Sequence, residues 1–313
     1  MPKFEDFTFE SSTGNNLLHA RRCVPAGKPR AVLQIEHDLA DHISRYDDLM
    51  ETLAENGIFC VGCDRLGHGD SVRRDEELGF FSPEDGWAHV VKDLDLLRDL
   101  TRRAYPDLPY LFFGQGLGSF VVRSYLIRHP GRYDAAILSG TGHPGKLLLL
   151  AGSGALGLMG RSRDPYAAGK AFRDLAFGSY CKHISDPRTP FDWLSRDKET
   201  VDRYLADPRC GFPCQAGLYR DMLDGLRQIT DQKNIDRMNK EAPILFLSGD
   251  ADPVGDYSAG VERACQAFRS AGLKDVSIRL YPGGRHEMLQ ETNREDVRQD
   301  ILAWINEKLR KIS

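Results

Sequence analysis

Three short segments of this chain collect the residue types that do chemistry. The first is Phe112-Phe113-Gly114-Gln115-Gly116-Leu117-Gly118-Ser119. The second is Ser248-Gly249-Asp250-Ala251-Asp252-Pro253, and the third is Tyr281-Pro282-Gly283-Gly284-Arg285-His286-Glu287. A carboxylate and an imidazole brought together from two such segments can act as a general-base pair, with Asp252 orienting His286. Taken singly, Asp252 before Pro253 also reads as a turn aspartate, and His286 as a hydrogen-bonded loop histidine. A fourth run, His37-Asp38-Leu39-Ala40-Asp41-His42, has two imidazoles and two carboxylates close together, which is a composition for metal ligands. Cys60 and Cys63 have C-x-x-C spacing, yet they lie in an apolar run and no second pair follows at zinc spacing. They read as small buried hydrophobes, and no metal or cofactor is expected.

The elements around these segments alternate between two periods. Ala31–Glu36, Ile58–Cys63, Tyr110–Phe113 and Ala135–Leu138 are short apolar runs fit for buried strands. Between them, Tyr46–Asn56, Trp87–Ala104 and Phe120–Ile127 read as helices. The second carries Val90, Val91, Leu94, Leu97 and Leu100 on one side. Such alternation implies a mostly parallel sheet covered on both faces. The rhythm stops from about His143 to Met238, where helix and loop patterns are punctuated by prolines. It resumes at Pro243–Leu247, Val276–Leu280 and a terminal helix Arg294–Lys308. The expected organisation is an α/β core of residues 1–142 and 239–313 with an inserted helical cap, 143–238. All three chemistry-bearing segments then fall at carboxyl ends of strands, where open α/β sheets place their sites.

These residues carry a resemblance over nearly the whole chain. The sequence resembles the α/β-hydrolases of the monoacylglycerol lipase, lysophospholipase and serine aminopeptidase S33 group. His37-Asp38-Leu39-Ala40-Asp41-His42-Ile43-Ser44-Arg45-Tyr46 is similar to the family's oxyanion segment, which normally begins His-Gly. Asp64-Arg65-Leu66-Gly67-His68-Gly69-Asp70-Ser71 is similar to its D-x-x-G-H-G-x-S loop, where His68 is expected to brace the glycines. Asp252 and His286 stand at the positions of the triad acid and base, in the chain order of the fold. The resemblance implies an α/β-hydrolase fold with a cap, carboxylic-ester hydrolase chemistry on an acyl or lipid-like small molecule, and an oxyanion hole from the backbone N–H groups of Leu39 and Leu117. It also places His37, Asp38 and Gln115 at the pocket.

The departures fall at the centre of that pattern. The family's elbow is G-x-S-x-G with serine as nucleophile, and here Gly116 occupies the serine position. Glycine has no side chain and forms no acyl-enzyme. Gln115 stands for the usual histidine and Asp38 for the usual glycine, and a carboxylate at 38 is expected to oppose a developing oxyanion. Ser119, three residues on, is a poor substitute nucleophile. Three readings follow: hydrolysis without a covalent intermediate, using His286 as base; a catalytically inactive protein that binds an acyl ligand or a partner; and a serine esterase deliberately crippled at position 116. Three site positions changed together favour natural divergence over a single engineered change.

Composition narrows the partners. With 42 Lys and Arg against 46 Asp and Glu, the net charge of −4 argues against a chain-wide nucleic-acid footprint. Seven scattered cysteines are no disulfide framework, no secretory leader is evident, and the longest apolar stretch, Leu147–Met159, is too short to span a bilayer. A cytoplasmic protein is expected. That stretch suits a plain cap core, a wall for an acyl chain, or a patch making transient contact with a membrane or micelle. Nothing in the sequence indicates an oligomeric state.

Overall fold

The computed structural model describes residues 1–159 and 164–312. Eight strands form one sheet: β1 (Lys3–Glu10), β2 (Leu17–Val24), β3 (Ala31–Glu36), β4 (Ile58–Cys63), β5 (Tyr110–Gln115), β6 (Ala135–Ser139), β7 (Ile244–Gly249) and β8 (Val276–Tyr281). Their order is β1-β2-β4-β3-β5-β6-β7-β8, with β2 antiparallel to both neighbours and β3 to β8 mutually parallel. This is the α/β-hydrolase arrangement that the resemblance implies. The β1–β2 hairpin has no counterpart in the sequence reading. Its strands are rich in charge, and β2 buries Leu18 and Ala20 on one face and Cys23 on the other.

The central strands are apolar without alternation because both faces are covered. In β5, Tyr110 and Phe112 enter one core with α2 (Gly86–Ala104) and α3 (Leu117–Arg128). Leu111 and Phe113 enter the opposite core with α1 (Asp47–Glu55) and, from the chain's end, Arg294–Ile312. The same pleat separates Cys60 and Cys63, which belong to opposite cores and cannot share a metal. Leu100 is 38% exposed and lies off the apolar stripe assigned to it. The buried face continues past Leu97 through Arg98 and Thr101 instead.

Between β6 and β7 run α4 (Lys146–Met159), α5 (Pro165–Phe177), α6 (Lys198–Ala206), α7 (Ala216–Thr230) and α8 (Gln232–Ile235), with no strand among the described residues. The expected 143–238 insertion is not uniform. α7 packs against α2 and α3, and Gly225 lets the Trp87 ring lie directly on its backbone. The helix packs as closely against α4 and α5, so α7 bridges the core helices and the helices that stand over the strand ends. α9 (Ala259–Ser270) links β7 to β8, and α10 (Arg294–Ile312) closes the chain.

The order of the strands sets the site. From β3 the chain moves to β4 on one side and returns to β5 on the other, so β3 and β5 are neighbours whose onward loops diverge. Residues just after β3 therefore face residues just after β5 across the switch point.

Candidate active site

β5 passes into α3 through a single residue, Gly116, with φ 51° and ψ −118°. That conformation strains any residue with a side chain, and glycine adopts it freely. Neighbouring glycines serve close packing: a Cβ on Gly118 would collide with the carbonyl oxygens of Glu36 and His37 at the end of β3. On Gly116 itself, a Cβ would overlap the carboxylate of Asp38.

Asp38 thus occupies the space a side chain at 116 would need. Its Oδ1 accepts hydrogen bonds from the N–H of Leu39 at 2.6 Å and of Leu117 at 2.7 Å. Those are the two donors expected to form an oxyanion hole. The sequence implies proximity alone; in the structure the Asp38 carboxylate itself accepts from both of these N–H groups. Its Oδ2 lies 2.8 Å from His286 Nε2. On the far side of the ring, His286 Nδ1 lies 3.0 Å from Asp252 Oδ2, and Asp252 Oδ1 accepts from the Val254 N–H. Asp38, His286 and Asp252 form one buried chain of alternating charge.

Burial alone disfavours the imidazolium, but the carboxylates of Asp252 and Asp38 outweigh it and hold His286 well above the ordinary imidazole range. With both ring nitrogens facing carboxylate oxygens, His286 is a double donor and therefore protonated. Its ring lies 5.0 Å from that of Trp193.

Two residues expected at the pocket sit behind it. His37 is fully buried, with Nδ1 donating to the Asp38 carbonyl at 2.8 Å and Nε2 accepting from the Arg65 N–H. Burial, followed by the nearby Arg65 and His68, pushes its pKa well below normal, so it is a neutral brace for the β3 loop. Gln115 donates to the backbone carbonyl of His286 at 3.0 Å and positions that loop from below. Neither borders the main cavity. Ser119 donates to the Gly116 carbonyl at 2.6 Å, is fully buried and points away from the cavity floor. His68 Nδ1 bonds the Leu66 carbonyl within its loop, as expected.

The four polar residues of the 37–42 run do not converge on one point. Asp41 takes Arg45 and Tyr46, and His42 takes Asp207. His42, Asp207 and Cys210 do approach one another. However, Asp207 is also bound by Arg209, and burial pushes the Cys210 thiol far up, away from the thiolate a metal needs.

Sequence reasoning missed three supporting residues. Arg65 holds the carbonyls of both His37 and Asp38 and ion-pairs with Glu36 at 2.8 Å, fixing the loop that delivers Asp38. Arg45 makes a two-pronged bond to Glu287, at 2.7 and 2.6 Å, anchoring the residue after His286. Gly140, at φ 57°, leaves room for Gln115 and the His286 ring. Arg65 lies inside the D-x-x-G-H-G-x-S motif and Arg45 inside the segment resembling the oxyanion loop, so both were legible there; Gly140 had no local signal.

Above the charged chain opens a cavity of about 730 Å³. Asp38, Gly116, Leu117 and His286 form its floor, and Leu149 of α4, Phe172 of α5 and Met222 and Leu223 of α7 are among its mostly apolar walls. α4 is apolar on its outer side too: Leu147, Leu148, Leu150 and Leu158 are each more than 60% exposed. Among the described residues no helix is long and apolar enough to cross a membrane.

Comparison with known proteins agrees with this architecture. The family model for serine aminopeptidase, S33, matches residues 27–293. The monoacylglycerol lipase of Mycolicibacterium smegmatis is 28% identical over 90% of each chain, and the monoglyceride lipase of Homo sapiens is 24% identical over 97% of this chain and 92% of its own. A thermostable carboxyl esterase from Bacillus coagulans, solved with glycerol, superposes with a TM-score of 0.89 at 27% identity, covering 98% of this chain and 99% of the esterase. The chain belongs to the serine aminopeptidase S33 family, with the α/β-hydrolase fold and lipase- and esterase-type relatives.

Proposed function

We propose that this protein takes up an elongated, apolar, lipid-like molecule and that serine ester hydrolysis is closed to it. The single observation that carries this reading is the position of Asp38: its carboxylate takes both N–H groups expected to serve an oxyanion, at the floor of a large apolar cavity and against a glycine where the sequence resemblance implies a nucleophile. An ester carbonyl reaching that floor finds its two N–H donors already taken. Hydrolysis with His286 as a free base is disfavoured for the same reason, since Nε2 is engaged by Asp38 and the ring is held protonated. A lone engineered Ser-to-Gly change is also disfavoured, because Asp38 fits only where position 116 has no side chain.

The exposed leucines of α4 support transient docking on a membrane or micelle as the source of the ligand. Seven free cysteines, six of them buried, suit a cytoplasmic setting. The test is displacement of a fluorescent fatty-acyl probe by 1-O-hexadecylglycerol, an ether that no esterase can cleave. Saturable, stoichiometric binding is expected, weakened at least about tenfold by Leu223→Trp, which fills the cavity. Absence of saturable binding refutes the reading.

A further inference from the structure

The charged floor of the cavity holds more machinery than a binding protein needs. A carboxylate with one oxygen in a two-donor hole and the other facing an imidazolium is arranged as a reactive group. Three residues converge to hold it there. Gly116 supplies the space, Arg65 fixes the loop by gripping the His37 and Asp38 carbonyls, and Asp252 orients His286 from behind.

We propose that Asp38 is a covalent nucleophile, delivered from the loop after β3 in place of the missing side chain at 116, and that its substrate is an epoxide with an apolar body. This rests on the apolar-ligand reading above and names the chemistry at its floor.

The choice of substrate follows from which positions are filled. Acyl transfer from an ester needs an oxyanion hole for the substrate's own oxygen, and Oδ1 of Asp38 holds both donors. Attack by a carboxylate at a saturated carbon needs no such hole. The product of that attack is an alkyl ester of Asp38 whose own carbonyl oxygen, Oδ1, already lies in the hole. The two N–H groups are thus positioned for the second half of the reaction.

An epoxide also matches the proton inventory. It presents carbon and oxygen on adjacent atoms, so a carbon set against Oδ2 brings its oxygen toward the Nε2–H that lies 2.8 Å from Oδ2. In the first step Oδ2 forms a bond to the carbon and the ring C–O bond breaks. The departing oxygen takes the Nε2 proton, leaving a hydroxyalkyl ester and neutral His286. In the second step His286 removes a proton from water, and the hydroxide adds to Cγ of Asp38. Negative charge collects on Oδ1, between the Leu39 and Leu117 N–H groups. Collapse breaks the Cγ–Oδ2 bond, and the alkoxide takes the proton back from His286. The resulting carboxylic acid of Asp38 then protonates His286, which restores the starting charges. The balance is epoxide plus water to a 1,2-diol, with no oxidant, reductant or metal. One oxygen of Asp38 leaves with the diol and one from water replaces it.

That exchange is the test. The full chain in excess is mixed with 1,2-epoxydecane or styrene oxide in oxygen-18 water, so that each molecule turns over once. The expected result is an unlabelled diol and one oxygen-18 in the peptide that carries Asp38, with no label in a control without epoxide. Asp38→Ala should lose diol formation by about a thousandfold or more. Label in the diol but not in Asp38 on the first turnover means that water attacks directly, and overturns the proposal. No diol from either epoxide, while 1-O-hexadecylglycerol still binds, overturns the nucleophile and leaves the apolar-ligand reading standing. Failure of the ether to bind removes both.

Discussion

Gly116 and Asp38 exclude one another's alternatives, and a double-mutant cycle should reveal it. In Gly116→Ser the new Cβ overlaps the Asp38 carboxylate, so that carboxylate must leave the hole. Leaving breaks two hydrogen bonds from backbone N–H groups and one from His286. Bonds to a charged group contribute about 1.5–3 kcal/mol each, part of which is recovered when cavity water solvates the displaced groups. The φ of 51° adds strain of about 1–3 kcal/mol for a residue with a side chain. Together, Gly116→Ser should destabilise by about 4 kcal/mol. Asp38→Gly removes the obstacle, so the serine in the double variant bears only the backbone strain. The coupling energy should be about 2–3 kcal/mol in favour of the double variant, near the upper end of measured pairs in contact. Urea denaturation of the four proteins gives this number. The same four should divide in labelling by a fluorophosphonate: the parent and Asp38→Gly have no hydroxyl at 116 and do not react, Gly116→Ser with Asp38→Gly reacts fastest, and Gly116→Ser alone reacts more slowly because its displaced carboxylate stays in the cavity beside the anionic probe. Additive stabilities within about 0.5 kcal/mol would refute the steric argument. Labelling of Gly116→Ser as fast as that of the double variant would refute the claim that the Asp38 carboxylate opposes reaction at this site.

Three further outcomes follow from the same geometry. His286 is held protonated by two carboxylates, so its folded pKa exceeds its unfolded one. The stability it contributes is fully present below the unfolded value, near 6.5, and is lost as pH rises through the folded value. Asp38→Asn removes one carboxylate and should move that loss to lower pH, read as a downfield-to-upfield titration of the His286 ring proton; an unmoved titration would mean that Asp38 does not act on the ring. On α4, Leu147→Ser with Leu150→Ser should reduce binding to phosphatidylcholine vesicles several-fold while changing stability by less than about 0.5 kcal/mol, since both side chains are exposed; unchanged vesicle binding would dismiss the docking role. Finally, the cavity should prefer a neutral ether lipid to a fatty acid of equal length. A ligand carboxylate about 4 Å from that of Asp38, at an effective dielectric of about 20, meets about 4 kcal/mol of repulsion. Calorimetric titration showing equal affinity for palmitate and hexadecylglycerol would contradict it.

Much of the scaffold was legible because its signals are local. The unbroken apolar runs of β3 to β7 reflect burial on both faces, and the glycines at 114, 116 and 118 mark the close crossing of α3 over the end of β3. The pairing of Asp252 with His286 was legible from two strand ends in the right order. The hidden features depend on partners distant in sequence. β1 is an edge strand and β2 its neighbour, and their charges pair with one another, as in Arg21 with Asp6 and Arg22 with Glu5, so their pattern reads as polar chain. His37 and Gln115 lie beside site residues in sequence, yet their side chains turn toward Arg65 and the His286 backbone. The most consequential difference concerns Asp38. Proximity to an oxyanion was inferable from its position, but occupation of the hole depends on the missing Cβ at 116, on the other side of the switch point.

That dependence bears on how such a site arises. A serine at 116 and an aspartate at 38 in the hole cannot coexist, so a chain that gained the aspartate while it still kept the serine would pass through a strained intermediate. The reverse intermediate, glycine at both positions, costs only an open hole that water can fill. For a chain that starts with serine at 116 and glycine at 38, the unstrained route would therefore lose the side chain at 116 first and bring the carboxylate into the vacated space. Gln115 fits the same sequence of events, because its amide holds the His286 backbone in place without adding a second titratable group beneath the ring. Asp252 is fully buried, pairs with His286 and accepts from the Val254 N–H, so removing it would leave a buried imidazolium with one carboxylate fewer. The stability of the buried chain Asp38–His286–Asp252 accounts for its presence, with the imidazole held from both sides.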